Sequence, residues 1–338
     1  MIDFKILIKE NIPWKQIESC YDSNIFKTHL WSSLIFETHG YYPFVVEISD
    51  SDSIIGYFIG MRIKKMGITI VASPFEGCTT SYQGLSTLNQ ISRSERVSIY
   101  KELIKWLFEK RYCLLFQVSD WNIDYEDIKD SEFYSIPINS YWLDLRPDID
   151  TLFKSFKQKS CQYSIHKAEK QGVRIVKPQS PEEFANNYYA QLIDVFKKQN
   201  LKPTYSKKYT LALVRKFYDT DKVIMLEAFH PIEEKCIATI LFLTYNDMAF
   251  YWGAASYREY QKFCPNELLM FEAIKKIKER GCDILEMEGI RSYKEKYNPI
   301  RYAKPKIVTA KYSILITMKK IAQKTYYRFR AAKASLKL

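Results

Sequence analysis

The sequence predicts a mixed α/β protein made of two tandem copies of one fold, each a twisted mixed sheet flanked by helices. Two observations carry this: the order β-α-α-β-β-β-α-β can be read twice along the chain, and a basic helical segment at 154–171, closed by Gly172, separates the two readings. Boundaries are expected near 148 and 305, giving domains 1–148 and 149–305 and a basic tail at 306–338.

Each element has its own signal. In the first half, 4–9 reads as a strand, 13–20 and 25–38 as helices, 42–48, 54–64 and 68–72 as three strands, 92–110 as a long helix and 113–118 as a strand. In the second half, 173–177 is a strand, 182–199 and 207–218 are helices, and 223–229, 236–245 and 248–255 are strands, the last two joined by an Asn246-Asp247 turn. The next helix starts at Pro265 and Asn266, carries Met270, Ala273, Ile274 and Ile277 on one face, and can close at Gly281 in the left-handed conformation. A short strand over 282–288 follows, ending at Gly289. A strand, a loop and a helix whose N-terminus faces a cleft make an anion site, because free N–H groups and the helix dipole converge there.

Composition narrows the function. The apolar runs are too short to cross a bilayer and the N-terminus lacks a basic leader with a long apolar core, so a cytoplasmic protein is expected. Seven cysteines without a CxxC pair read as reduced thiols, and four scattered histidines give no metal-ligand spacing, so no metal is expected. There is no GxSxG elbow and no GxxxxGK[ST] loop. The net charge of +12 resides in the C-terminal segment 296–338, which holds 12 Lys and Arg and no Asp or Glu. Such a concentration suits an anionic partner: a nucleic acid, an acidic membrane surface or a diphosphate-linked substrate.

The doubled order resembles the tandem GNAT-type N-acetyltransferase fold, and the wording resembles the Fem-type family of acyl and aminoacyl transferases. The phrases are FKSFKQKSCQYSIHKAEKQGVRI at 153–175, YWGAAS at 251–256, the helix start at 265–269 and SYKEKYNP at 292–299. SPFEGCTTSYQGL at 73–85 is similar to a first-domain loop that lines the substrate cleft, which implicates Tyr82. The resemblance implies attack by an amine on an activated carbonyl, with Lys294, flanked by Tyr293 and Tyr297, meeting the reacting carbonyl as oxyanion stabiliser.

Further candidates come from the residues themselves. Glu286 and Glu288 stand at i and i+2, on one face of the strand near its C-terminal end, and either suits the general base. Tyr251 and Trp252 point to opposite faces, one toward the cleft and one toward the core, while Lys159, Lys167 and Lys170 on the basic helix are placed to hold phosphates. The resemblance implies acyl-CoA or aminoacyl-tRNA as the donor. The segment SYREYQKFCPNEL contains no glycine with which to cradle a pyrophosphate, which favours donors other than coenzyme A.

The expected function is transfer of an acyl group to an amine of a cell-envelope precursor, a nucleotide-linked or lipid-linked amino sugar. The alternatives are aminoacyl-tRNA-dependent addition to a peptidoglycan precursor and a non-catalytic module that holds RNA or polysaccharide. The tail 306–338 reads as a strand over 306–317 and then an amphipathic helix suited to an anionic membrane surface or to packing on the first domain.

Overall fold

A computed structural model describes residues 2–131, 133–197 and 201–335, with the backbone alone for 326–335. The chain forms two compact units, Met1–Ile138 together with Ala303–Leu338, and Asn139–Tyr302.

The first unit contains β1 (Ile2–Leu7), α1 (Trp14–Glu18), α2 (His29–His39), β2 (Pro43–Asp50), β3 (Ser53–Lys65), β4 (Ile68–Ser73), β5 (Gly84–Thr87), α3 (Arg93–Glu109), β6 (Leu115–Ser119) and α4 (Tyr125–Ile128). The chain leaves it along β7 (Tyr134–Asp144). The second unit contains α5 (Ile149–Ser155), α6 (Tyr163–Lys170), β8 (Arg174–Val176), α7 (Pro181–Lys197), α8 (Lys207–Phe217), β9 (Val223–Phe229), β10 (Cys236–Tyr245), β11 (Met248–Ser256), α9 (Pro265–Glu279) and β12 (Ile284–Glu286). The chain returns along β13 (Ile300–Ala310) and ends in α10 (Ile314–Ser335).

The two units are built alike. In the first, strands follow the order β1-β2-β3-β4-β6-β13, with β5 on β3; in the second the order is β8-β9-β10-β11-β12-β7. Every neighbouring pair is antiparallel except β4 with β6 and β11 with β12, which are parallel because a helix, α3 or α9, carries the chain across. Each sheet then takes a final antiparallel strand, Lys306–Ala310 against β6 and Trp142–Asp144 against β12.

Local chemistry explains the element ends. The Ser92 hydroxyl caps α3 by accepting from Glu95 N at 3.1 Å, and the apolar face of that helix, Val97, Tyr100, Leu103 and Leu107, is buried on the sheet. The expected helix over 25–38 is instead a 3₁₀ turn followed by α2, because Thr28 accepts from Trp31 N at 3.2 Å and starts a new helix there. Asn246, at φ 50°, makes the two-residue hairpin between β10 and β11, and Gly281, at φ 78°, follows the end of α9. In the second unit Leu269, Ala273, Ile274 and Ile277 of α9 pack with Leu226, Ile240, Phe242 and Leu285 of the sheet.

Three expectations need correction. The basic segment 154–171 is not one helix: it breaks at Phe156, passes through a π turn at Gln158–Gln162 and resumes as α6. The tail strand is not 306–317 but β13, which begins six residues earlier and holds Pro305 inside it, while Ile314, Ile316 and Thr317, β-branched and strand-like in composition, belong to α10. β5, α4 and β7 were not expected, and β7 too carries a proline, Pro137. The expected end of α7 at Gln199, and the side chains of Tyr326, Arg328, Phe329, Arg330 and Ala332, lie outside the described residues. Among those described, no helix is long and apolar enough to cross a membrane.

Candidate active site

The site begins where two parallel strands part. β11 pairs with β12 only at Met248, Ala249 and Phe250, opposite Ile284, Leu285 and Glu286, and then continues to Ser256. On its other edge it stays paired with β10 through a bulge, Leu241 opposite Gly253 and Phe242 opposite Tyr251, which leaves Trp252 as the extra residue. Tyr251 enters the core against Phe242 with ring centroids 5.3 Å apart. Trp252 turns to the other face, among Tyr188, Tyr205 and Tyr209, with ring centroids 4.8 Å from Tyr205.

Lys294 stands in the 3₁₀ turn Ser292–Tyr297 and is 2% exposed, so it is not the solvated lysine such a turn usually carries. Its ammonium donates to the carbonyl oxygens of Met287, of Glu288 at 2.8 Å and of Gly289 at 3.2 Å, and its Nζ lies 5.0 Å from the Tyr251 ring centroid. Glu288 and Gly289 adopt successive left-handed conformations, φ 57° and 81°, which curl the backbone so that three consecutive carbonyls meet one cation. A non-glycine residue in that conformation costs on the order of 1 kcal/mol, which the three hydrogen bonds offset. Burial brings the Lys294 pKa down to about 8 against the opposing pull of the Glu288 and Glu286 charges.

The left-handed turn also corrects the carboxylate pair. β12 ends at Glu286 and the strand alternation ends with it, so Glu286 and Glu288 do not share a strand face. Glu286 is 1% exposed, and both its oxygens are engaged. Oε1 accepts from Ser140 Oγ at 2.5 Å and from Glu288 N at 3.0 Å, and Oε2 accepts from the Tyr302 hydroxyl. Burial raises its pKa, while these hydrogen bonds work in the opposite direction. Glu288 is half-buried.

The flanking aromatics divide. Tyr293 is half exposed and hydrogen-bonds Tyr251, whereas Tyr297 is buried edge-on against Phe156 with ring centroids 5.4 Å apart. Lys296 forms an ion pair with Glu267 in the first turn of α9, and its carbonyl accepts from Lys157 N at 2.8 Å, tying the π turn to the Lys294 turn. That arrangement corrects the expected anion site: an acid already occupies the first turn of α9 and a lysine neutralises it.

Lys159 and Lys170 are exposed and Lys167 half-buried, on the π turn and α6. Tyr82 belongs to the first unit, where it is buried edge-on against Trp121 with ring centroids 5.2 Å apart. Sequence reasoning missed Ser140, Tyr302, Tyr188 and Tyr205. The first two lie on strands interrupted by proline, and nothing in their spacing links them to Glu286. Among the described residues, no group of three or more His, Cys, Asp and Glu is placed to hold a metal ion.

Residues 155–297 match the acetyltransferase (GNAT) domain family, which marks this part of the chain as an acyltransferase domain. Lys294, Glu286, Glu288 and Tyr251 fall inside the matched span; Ser140 and Tyr302 fall outside it. Solved structures extend the likeness over nearly the whole chain. FemX, 10% identical, has a TM-score of 0.73 and covers 94% of this chain and 99% of its own. L-PGS from Bacillus licheniformis, 14% identical, has a TM-score of 0.55 and covers 91% and 94%. A tandem GNAT protein from the clavulanic acid biosynthesis pathway, 12% identical, has a TM-score of 0.52 and covers 92% and 98%. The chain thus has a Fem-like tandem GNAT fold. No curated protein matches the sequence.

Proposed function

We propose that the second unit transfers an acyl or aminoacyl group to the amine of a cell-envelope precursor, a nucleotide-linked or lipid-linked amino sugar, in the cytoplasm. The observation that carries this reading is the buried ammonium of Lys294 beside the unpaired length of β11. When the amine attacks the activated carbonyl, negative charge develops on the carbonyl oxygen, and a desolvated cation there is worth far more than one in water. In the free protein three carbonyls take all three ammonium protons, so the oxyanion would displace the longest of these bonds, that to Gly289 at 3.2 Å. Glu288, half-buried and close enough for its charge to act on this cation, accepts the amine's proton and passes it to the donor's thiolate or ribose oxygen, which leaves as the tetrahedral adduct collapses.

A second reading has aminoacyl-tRNA as donor and a peptidoglycan precursor as acceptor. It is favoured by the glycine-free run 257–264 and by Glu267 in the first turn of α9, which together offer a pyrophosphate neither a backbone cradle nor a free helix end. Mass spectrometry of small molecules retained by the purified protein, followed by single-turnover assays with acyl-CoA and with aminoacyl-tRNA, separates the two. A retained nucleotide sugar with no turnover from either donor would sink both.

A further inference from the structure

The C-terminal helix presents two different faces. Leu315, Ile316, Lys319 and Gln323 are partly buried, and on this side Lys319 hydrogen-bonds Gln117 while Gln323 reaches Glu76 at 3.1 Å, so this face packs on the first unit. On the opposite side Ile314, Met318 and Ile321, at i, i+4 and i+7, form an apolar stripe that is 60%, 51% and 60% exposed. Tyr312, just before the helix, is 56% exposed as well. Lys324 is exposed on the flank of this stripe, and Lys320, further round toward the packed face, lies 3.8 Å from the Tyr134 ring centroid.

We propose that this outer face of α10 docks on an anionic phospholipid surface, the Ile314, Met318 and Ile321 side chains entering the acyl boundary while the lysines meet the headgroups. The choice of occupant follows from the composition. The sequence of α10 carries six Lys and Arg and no Asp or Glu, so a second copy of the same helix would be repelled. A nucleic acid would satisfy the lysines and leave the apolar stripe in water. Only a surface that is anionic outside and apolar just beneath uses both. The helix is too polar to insert across the bilayer, so it lies in the interface. This surface is independent of the transfer chemistry, and its test needs no substrate.

The experiment is co-sedimentation of the full-length protein with vesicles of phosphatidylglycerol and phosphatidylcholine, against vesicles of phosphatidylcholine alone, at low and physiological salt. Binding is expected to the anionic vesicles only and to weaken with salt as the Debye length falls from about 30 Å to about 8 Å. Replacing Ile314, Met318 and Ile321 by Asn is expected to lower partitioning by about tenfold or more. Lys324→Gln, which leaves Lys320 on the Tyr134 ring, should lower it by about fivefold. The circular dichroism and melting curves of both variants should match the parent's, because the altered side chains are exposed. The proposal is overturned if the parent ignores anionic vesicles at low salt. It is equally overturned if the apolar triple variant binds unchanged while the lysine variant does not, since that pattern marks a polyanion contact such as RNA, or if the triple variant melts early, which would make the stripe a packing surface.

Discussion

Ser140 and Glu286 are 146 residues apart in sequence, yet the hydroxyl of one donates to the carboxylate of the other at 2.5 Å. The same hydroxyl oxygen accepts from Gly289 N at 2.7 Å, so Ser140 bridges the two ends of the short turn whose carbonyls cradle Lys294. Glu286 fastens the middle of that turn through Glu288 N. The buried carboxylate is thus a strut for the lysine's seat.

Removing the bridge should therefore loosen the lysine without touching it. Ser140→Ala is expected to cost about 1–3 kcal/mol of stability, since it leaves a buried carboxylate oxygen and a backbone N–H short of a partner. It should also lower kcat by about tenfold while leaving KM nearly unchanged, because a positioning loss acts on the reacting geometry. Thr at the same position, which keeps the hydroxyl, should recover most of the loss. A kcat equal to the parent's in Ser140→Ala would show that the cradle holds itself.

Lys294 supplies a test with a sign. Its pKa lies at about 8, so an oxyanion-stabilising role requires the protonated form and kcat/KM should fall as pH rises through about 8. A general-base role requires the neutral amine and gives a rise through the same region. Lys294→Met should lower kcat by about 10² to 10³ and abolish whichever limb is present. Unaltered turnover in that variant would remove Lys294 from the chemistry.

The architecture was largely legible in the sequence and the site only in part, for physical reasons that can be named. Helix α9 and strands β9, β10 and β11 carry uninterrupted periodicity and clear turn residues, and Asn246 and Gly281 fell where the chain turns. β7 escaped and β13 was begun six residues late, because Pro137 and Pro305 mask their alternation, and with those stretches went Ser140 and Tyr302, the partners that turn Glu286 from a candidate base into a strut. Glu288 was misplaced because spacing cannot reveal a left-handed residue one step beyond the strand end. Lys294 was found by resemblance; its burial and its three carbonyls were not readable from a turn sequence that is mostly polar.

Gly253 marks a tight approach on the far face of β11. A Cβ there would stand 2.3 Å from the Tyr188 hydroxyl, which itself lies 2.6 Å from the Tyr205 hydroxyl. Gly253→Ala should destabilise the protein by about 1–3 kcal/mol by overpacking. Tyr188→Phe removes the clashing oxygen, so the double variant should be less destabilised than the sum of the two single changes. Additive losses in urea melts would mean that the strain is relieved elsewhere, by movement of the bulge at Trp252.

The last test concerns Glu76, which joins the 74–82 loop to the C-terminal segment. Its carboxylate pairs with Lys306 at 2.7 Å and Lys319 at 3.5 Å and accepts from Gln323 at 3.1 Å. Burial alone would raise its pKa, but the two lysines and the Gln323 amide overcome this and hold it at about 2. A carboxylate whose pKa is depressed on folding stabilises above its ordinary value of 4.5, and the contribution is lost as pH falls toward about 2. Because the side chain is 46% exposed, solvent screening reduces the gain, and Glu76→Gln should cost only about 1 kcal/mol at pH 7. Urea melts of parent and variant should differ at pH 7, converge as the pH approaches 2, and converge also in high salt. A gap that persists at pH 2 would mean that Glu76 contributes by packing and not by charge.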